Sequence, residues 1–329
     1  MHISYLVPAF NAEATLAKAV QSILLQDTDC KKDILIIDDG SRDGTLRTAE
    51  QLKPLSADIR IVATKNGGEA SAINCGLRQA RGDFIAFVEA DVELEKGWLR
   101  KLLYALDDPM VIGAGGTLIT ARSEPWIARI AGYEIEYKFS TKRHFTSHIT
   151  SANALYKSIA FEKAGAMNES LMNASWDSDF NNRLIAKGYK LAYVRDAVVL
   201  HHYKAAFMHY LGRNFSYALY RIYVCNACLY PADRFLIFNV ALSAVFIVSF
   251  FFIKIFIWAP VCFFVLLFIV HLPLTIKLWY LKKDPALAVY PAVAVIRNIV
   301  AVAGLTVGIA KKYSPVKKLV RTLQGQKKC

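Results

Sequence analysis

Ile34-Leu35-Ile36-Ile37-Asp38-Asp39-Gly40-Ser41 places two adjacent carboxylates directly after an unbroken apolar run. A strand that is apolar at successive positions is buried on both faces, as in a parallel sheet, so polar chemistry collects in the loop past its C-terminal end. The pattern recurs on either side. Residues 3–7 are apolar apart from Ser4 and end at Pro8, and the run at 84–88 ends at Glu89-Ala90-Asp91. Amphipathic stretches at 12–26, 45–53 and 69–81 separate these runs, with a further β-rich run at 59–63. The alternation predicts an α/β fold, a mostly parallel sheet with crossover helices, and the loops after Pro8, Asp38-Asp39 and Glu89/Asp91 should converge on one crevice.

The pattern loosens after residue 110. A strand is expected over 111–120, an amphipathic stretch over 126–139, a helix over 177–187 and a short strand over 191–194, just before His201-His202.

The 329 residues suffice for one globular domain of ordinary size plus an appendage, and a hydrophobic content of 55% is high for a purely soluble chain. Both the charge and the apolar excess are local. Residues 1–233 carry 27 Lys/Arg against 26 Asp/Glu, whereas 234–329 carry 13 against 1. Cations at the ends of apolar runs suit anionic lipid headgroups, not nucleic acid, which asks for Lys and Arg spread over a soluble face.

Residues 235–253 and 255–281 are each long enough to span roughly 30 Å of hydrocarbon. A third candidate, 286–310, has Arg297-Asn298 near its middle, where a charge is costly, so a re-entrant or surface-lying segment is favoured there. Two spans would return Lys282, Lys283 and the tail cations Lys311, Lys312, Lys317, Lys318 and Arg321 to the side of the globular part. The expected organisation is a globular domain over 1–202, a tyrosine-rich interfacial helical connector over 203–233, a membrane region of two or three helices over 234–310, and a basic tail over 311–329. Met1 to Val7 lacks a basic n-region and a small-residue cleavage site, so the globular part and the tail are expected on the cytoplasmic side. The six cysteines form no regular framework, and Cys225-x-x-Cys228 has no second pair to complete a zinc set.

Several strings together closely resemble the signature of family 2 glycosyltransferases with the GT-A fold. They are Val7-Pro8-Ala9-Phe10-Asn11-Ala12-Glu13, Asp38-Asp39-Gly40-Ser41-Arg42-Asp43-Gly44-Thr45, Asn66-Gly67-Gly68, Asn74-Cys75-Gly76, Glu89-Ala90-Asp91 and Trp176-Asp177-Ser178-Asp179-Phe180. The resemblance runs from residue 3 to about 202. It implies an inverting transfer of sugar from a UDP- or GDP-type donor, with Mg2+ or Mn2+ bridging the diphosphate.

Residue by residue, the resemblance assigns Asp39 to the base or ribose, with backbone at Pro8 and Ala9 lining the base. Independently, Asp-Gly-Ser-x-Asp-Gly is good turn chemistry, so Asp39 also reads as a turn residue. Glu89-Ala90-Asp91 stands where the family has Asp-x-Asp. Alternation puts both carboxylates on one side of an extended segment, and hard oxygens suit the divalent ion. Asp91 is the expected metal ligand. Glu89 is one methylene longer than the family residue, and its expected role is the donor sugar or a metal-bound water. Asp177 matches the general base, with Asp179 as the alternative and a helix N-cap as the structural reading. His201 and His202 resemble the family's late metal-side histidine, although one of them reads equally well as structural. Asn66 and Asn74, beside glycines that permit close approach, are expected in the donor pocket. Ser151 and Asn153 occupy the acceptor-side loop.

The apolar C-terminal part argues for an acceptor at the membrane, a polyprenyl phosphate or a lipid-linked glycan. Two rivals remain: a processive polysaccharide synthase, whose Gln-x-x-Arg-Trp motif is missing here, and a non-catalytic membrane scaffold on the same fold.

Overall fold

The computed structural model describes residues 1–26, 29–140, 144–172, 174–224 and 259–313. The expected span at 235–253, the Cys225/Cys228 pair and the basic tail beyond Tyr313 lie outside the described residues. The chain divides into two compact units, Met1–Ala205 and Ala206–Cys329.

The first unit begins as the sequence predicts. Strands β1 (His2–Ala9), β2 (Lys31–Asp38), β3 (Ile59–Ala63) and β4 (Phe84–Phe87) alternate with helices α1 (Leu16–Leu24), α2 (Thr45–Leu52) and α3 (Glu69–Leu77). They pair in parallel in the order β3-β2-β1-β4. The apolar residues of β1 and β2 from Tyr5 to Val7 and from Ile34 to Ile37 are fully buried, as sequence runs without alternation require.

Beyond β4 the sheet changes character. β5 (Val92–Leu94), α4 (Trp98–Ala105), β6 (Val111–Ile119), α5 (Trp126–Ser140), β7 (Phe145–Thr146), β8 (Ala154–Lys157), α6 (Ile159–Ala164), α7 (Trp176–Ala186) and β9 (Lys190–His201) follow. β8 runs antiparallel between β4 and β6, and β9 is parallel to β6 but antiparallel to β5 and β7. The sheet is therefore mixed, not purely parallel. The reason is local: β5, β7 and β8 are two to four residues long, too short to show a period. The strand expected over 191–194 is twelve residues long and ends at His201. That extension carries the histidine to the crevice.

In the second unit, the described elements are α8 (Phe207–Val224), α9 (Ala259–Lys282), a 3-10 turn at Pro285–Val289 capped by Asp284, and α10 (Tyr290–Tyr313). α8 and α10 pack side by side and run in the same direction. A Cβ at Gly304 would stand 2.3 Å from the Phe215 carbonyl oxygen, and one at Gly308 would stand 2.4 Å from that of Leu219. Four-residue glycine spacing thus permits the backbones to approach where any side chain would collide. One turn on, the Lys312 ammonium donates to the Ile222 carbonyl.

The segment expected to be re-entrant or surface-lying is helical, the 3-10 turn running directly into the following helix. Pro285–Tyr313 is long and apolar enough, by length and composition, to cross a membrane. Its polar centre is satisfied without a break, because Arg297 Nε and Nη2 donate to Asn298 Oδ1, whose amide meets His271 Nε2 of α9 at 3.0 Å.

Candidate active site

Parallel pairing fixes where the loops emerge. Ala9 is in register with Asp38 and Leu6 with Phe87, so the segments after β1, β2 and β4 leave the same edge of the sheet. Pro8 and Ala9 lie at that edge, and the Ala9 carbonyl accepts the Asp39 N–H at 2.9 Å.

Asp39 is 4% exposed and faces its own chain. Its Oδ1 accepts the Gly67 N–H at 2.8 Å and its Oδ2 the Gly68 N–H at 2.9 Å, while Asn66 Nδ2 donates to the Asp39 carbonyl. Gly68 has φ +87°, a conformation that glycine adopts without strain and that helps aim both amides at one carboxylate. Oδ2 keeps acceptor capacity for a further donor. Asp38 Oδ2 accepts the Ser41 N–H, and its buried Oδ1 has no hydrogen-bond partner among the described residues.

Glu89, Asp91 and His201 form a cluster whose ligand atoms lie within 4.8 Å of one another. β5 returns beside the end of β9 with Val92 opposite His201, which brings the imidazole to the carboxylates. His201 Nε2 lies 3.2 Å from Asp91 Oδ1 and 3.6 Å from Glu89 Oε2. Burial works to lower the pKa of His201, but Tyr203, Asp91 and Glu89 outweigh it and raise the value well above the ordinary one. In this form the imidazolium balances the two acids. The fit to a divalent ion is good: two carboxylates from the segment between β4 and β5 converge with an imidazole from the end of β9, and buried His201 Nδ1 and Nε2 make no well-aligned hydrogen bond. Ser151 braces this cluster, its hydroxyl donating to Glu89 Oε1 at 2.6 Å.

Three expected site residues are placed differently. His202 points away from the cluster, because consecutive residues at the end of a strand face opposite ways; its Nε2 is 2.6 Å from Glu93 and its Nδ1 2.6 Å from Glu124. It therefore joins β5 to the segment before α5. Asn153, 0% exposed, accepts from Trp98 Nε1 and donates to the Thr117 and Ala197 carbonyls, an internal brace with no face for an acceptor. Asn74 donates to the Met167 carbonyl and to Glu169 and accepts the Met167 N–H. With its polar atoms so engaged, it holds the 167–169 segment instead of facing a donor.

Asp177 lies in the first turn of α7, with Oδ1 accepting the Ser178 N–H at 2.7 Å and Oδ2 3.6 Å from His148 Nε2. Asp179 is committed to Arg183 at 2.9 Å, so of the two acids Asp177 is the one suited to act as a base.

A residue absent from the sequence reading links these parts. Glu69 opens α3 immediately after Gly68, and its Oε2 accepts from Trp176 Nε1 at 3.2 Å. Burial raises its pKa well above the ordinary value, the charges of Glu89, Asp177 and Asp91 add to the rise, and the Trp176 hydrogen bond opposes it. The acids of three separate segments thus share one electrostatic environment. The available signal was a carboxylate directly following Asn66-Gly67-Gly68. His148 was also missed, since a lone histidine between short strands has no pattern.

Residues 4–165 match Glycosyl transferase family 2. The uncharacterized glycosyltransferase EpsJ of Bacillus subtilis is 26% identical over 192 residues, 54% of this chain and 54% of its own length. The pre-mycofactocin glycosyltransferase of Mycobacterium tuberculosis is 27% identical over 192 residues, 56% of this chain and 40% of its own. The chain thus spans about half or less of the length of these relatives. Among solved structures, the mannosyltransferase PcManGT from Pyrobaculum calidifontis, in complex with GDP-Man and Mn2+, superposes with a TM-score of 0.60 at 15% identity, covering 93% of this chain and 87% of that one. GalNAc-T7 with UDP, GalNAc and Mn2+ gives 0.52 at 16% identity, covering 62% and 44%. Motif order, sheet topology and these matches agree: residues 4–165 match glycosyl transferase family 2, and the globular unit has a GT-A fold.

Proposed function

We propose that this protein is an inverting glycosyltransferase that moves a sugar from a UDP- or GDP-type donor to an acceptor held at a membrane, a polyprenyl phosphate or a lipid-linked glycan. One observation carries the reading: Glu89, Asp91 and His201 form a cation-competent cluster within electrostatic reach of Glu69, which also feels Asp177.

Inverting transfer needs a group that neutralises the leaving diphosphate and a base for the acceptor on the opposite side of the anomeric carbon. Glu89, Asp91 and His201 would hold Mn2+ or Mg2+, which supplies diphosphate neutralisation when bound, and the imidazole favours Mn2+. Asp177 takes the acceptor proton. The Asp39-anchored glycine loop and the end of β1 frame the nucleotide. PcManGT and GalNAc-T7, which share the fold, were solved with GDP-mannose or UDP and with Mn2+, and this supports a nucleotide donor and a metal here.

A membrane acceptor is supported by the apolar helix Pro285–Tyr313 and by the 13 cations against one acid over residues 234–329. We place the globular unit and the tail on the cytoplasmic side, where nucleotide sugars are made. The test supplies membranes containing the full chain with labelled UDP- and GDP-sugars, Mn2+ and polyprenyl phosphate, and weighs the lipid fraction by mass spectrometry. Label should enter lipid, EDTA and Asp91→Ala should each prevent it, and Asp177→Asn should prevent it on a lipid-linked glycan hydroxyl while weakening it less on the already ionised phosphate. Transfer that survives both substitutions would end this assignment.

A further inference from the structure

Behind Asp177 lies a chain of polar contacts whose direction can be read from one end to the other. The Ile149 carbonyl can only accept, so the group of Asn181 that faces it at 2.7 Å is the amide nitrogen. Asn181 Oδ1 then faces the Tyr156 hydroxyl, which donates to it at 2.8 Å. The same Asn181 nitrogen lies 3.2 Å from His148 Nδ1 and donates to it, so Nδ1 is an acceptor and the ring hydrogen sits on Nε2. Nε2 is the atom that faces Asp177 Oδ2. Asn181 is 0% exposed and Tyr156 1%, and Asn181 stands one helical turn beyond Asp177 on α7.

We infer that His148 is the positioning residue for the Asp177 base, locked by Asn181 and Tyr156 in the tautomer that turns Nε2–H toward the carboxylate. The inference rests on reading Asp177 as the base. The separation of 3.6 Å is just beyond a hydrogen bond, and such contacts commonly tighten once substrate is bound. Asp177 Oδ1 is held by the Ser178 N–H, so an Nε2–H donor at Oδ2 fixes the carboxylate plane and leaves the other Oδ2 lone pair for the acceptor. In the transfer, the acceptor oxygen bonds to the anomeric carbon while the bond from that carbon to the diphosphate oxygen breaks, its electron pair leaving with the diphosphate. The acceptor proton goes to Asp177 Oδ2. It does not continue to His148, whose Nε2 already bears the ring hydrogen while Nδ1 faces the Asn181 amide and the Ser178 hydroxyl. His148 therefore orients the base and does not relay the proton.

A double-mutant cycle tests this in the full-length protein in membranes, by nucleoside diphosphate release from whichever of UDP-glucose, UDP-N-acetylglucosamine and GDP-mannose the unmodified protein turns over with Mn2+. His148→Ala should lower kcat by about tenfold or more, a part of the 10²–10⁴ a general base contributes, with donor KM unchanged. His148→Gln should recover most of it, because its amide can donate to Asp177. In an Asp177→Asn background, His148→Ala should cost nothing further. The inference is overturned if His148→Ala is fully active while Asp177→Asn is inactive, or if His148→Ala costs the same factor in both backgrounds, as a merely structural residue would. Full activity of Asp177→Asn, or no turnover by the unmodified protein, would remove the base reading itself.

Discussion

Ser151→Ala isolates the support of the metal cluster from the cluster itself. The Ser151 hydroxyl donates to Glu89 Oε1 at 2.6 Å, a hydrogen bond to a charged acceptor on a largely buried residue. Such bonds contribute about 1.5–3 kcal/mol, which at about 1.4 kcal/mol per decade corresponds to roughly 10- to 150-fold in an equilibrium. Partners that orient metal ligands cost about 10- to 100-fold in affinity or activity when removed, so two independent routes give the same range. The assay is glycosyl transfer against Mn2+ concentration at saturating donor. Ser151→Ala should raise the half-saturating Mn2+ within that range and leave the rate at saturating metal within a few-fold, and Ser151→Thr, which keeps the hydroxyl, should lie near the unmodified protein. If Ser151→Ala has the original metal dependence while Asp91→Asn does not, Glu89 is not orienting a metal. If only the maximal rate falls, Ser151 acts on the acceptor.

Three further outcomes are expected. Glu69 has a raised pKa, so its stabilising contribution is complete below the ordinary Glu value of about 4.3 and is lost as pH rises through the folded-state value. Glu69→Gln should therefore melt progressively higher than the unmodified protein in EDTA as pH rises from 5 to 8, and Mn2+ should narrow the gap; a pH-independent difference would show that Glu69 does not titrate as argued. Gly304→Val should destabilise the helical unit by about 1–3 kcal/mol, seen as a lower melting temperature in detergent, because its Cβ would stand 2.3 Å from the Phe215 carbonyl oxygen. Asp177→Asn should lose far more activity on a hydroxyl acceptor than on a polyprenyl phosphate, whose oxygen is already ionised near neutral pH; equal losses on both would argue against proton removal as its task.

The parallel half of the sheet was readable because its strands are short, largely apolar runs separated by amphipathic stretches. The mixed half was not. β8 is four residues long and β7 two, and their place in the sheet comes from long-range pairing, which no local period reports. The site shows the same division. Asp91 could be named as a candidate because an acid after a buried strand stands out in sequence, and Asp177 and His201 because their motifs resemble those of the family. Asn74 and Asn153 stood out equally, in motifs beside glycine or alanine, yet both are buried with their polar atoms bonded to the chain. A motif asparagine that contacts a ligand and one that braces a loop look alike until the partners are known. His201 and His202 differ only in which side of the strand end they face, and that depends on β5 pairing with β9, a three-residue strand meeting a twelve-residue one.

The segment Gly67-Gly68-Glu69 joins what would otherwise be three separate acidic clusters. Its first two amides bind the Asp39 carboxylate, its third residue accepts from the Trp176 indole, and Trp176 immediately precedes Asp177 on the same helix. The burial of Asp39 is then explained by its bonds to those amides, and the clustering of four acids by the protonated state that burial and like charge favour at Glu69. A cation held by Glu89 and Asp91 would neutralise the charges that raise the pKa of Glu69 and would lower it again, so metal binding and proton release at Glu69 are linked. The conformation of one glycine loop thereby couples the proposed nucleotide side of the crevice to the proposed base and to the ionisation of the acids between them.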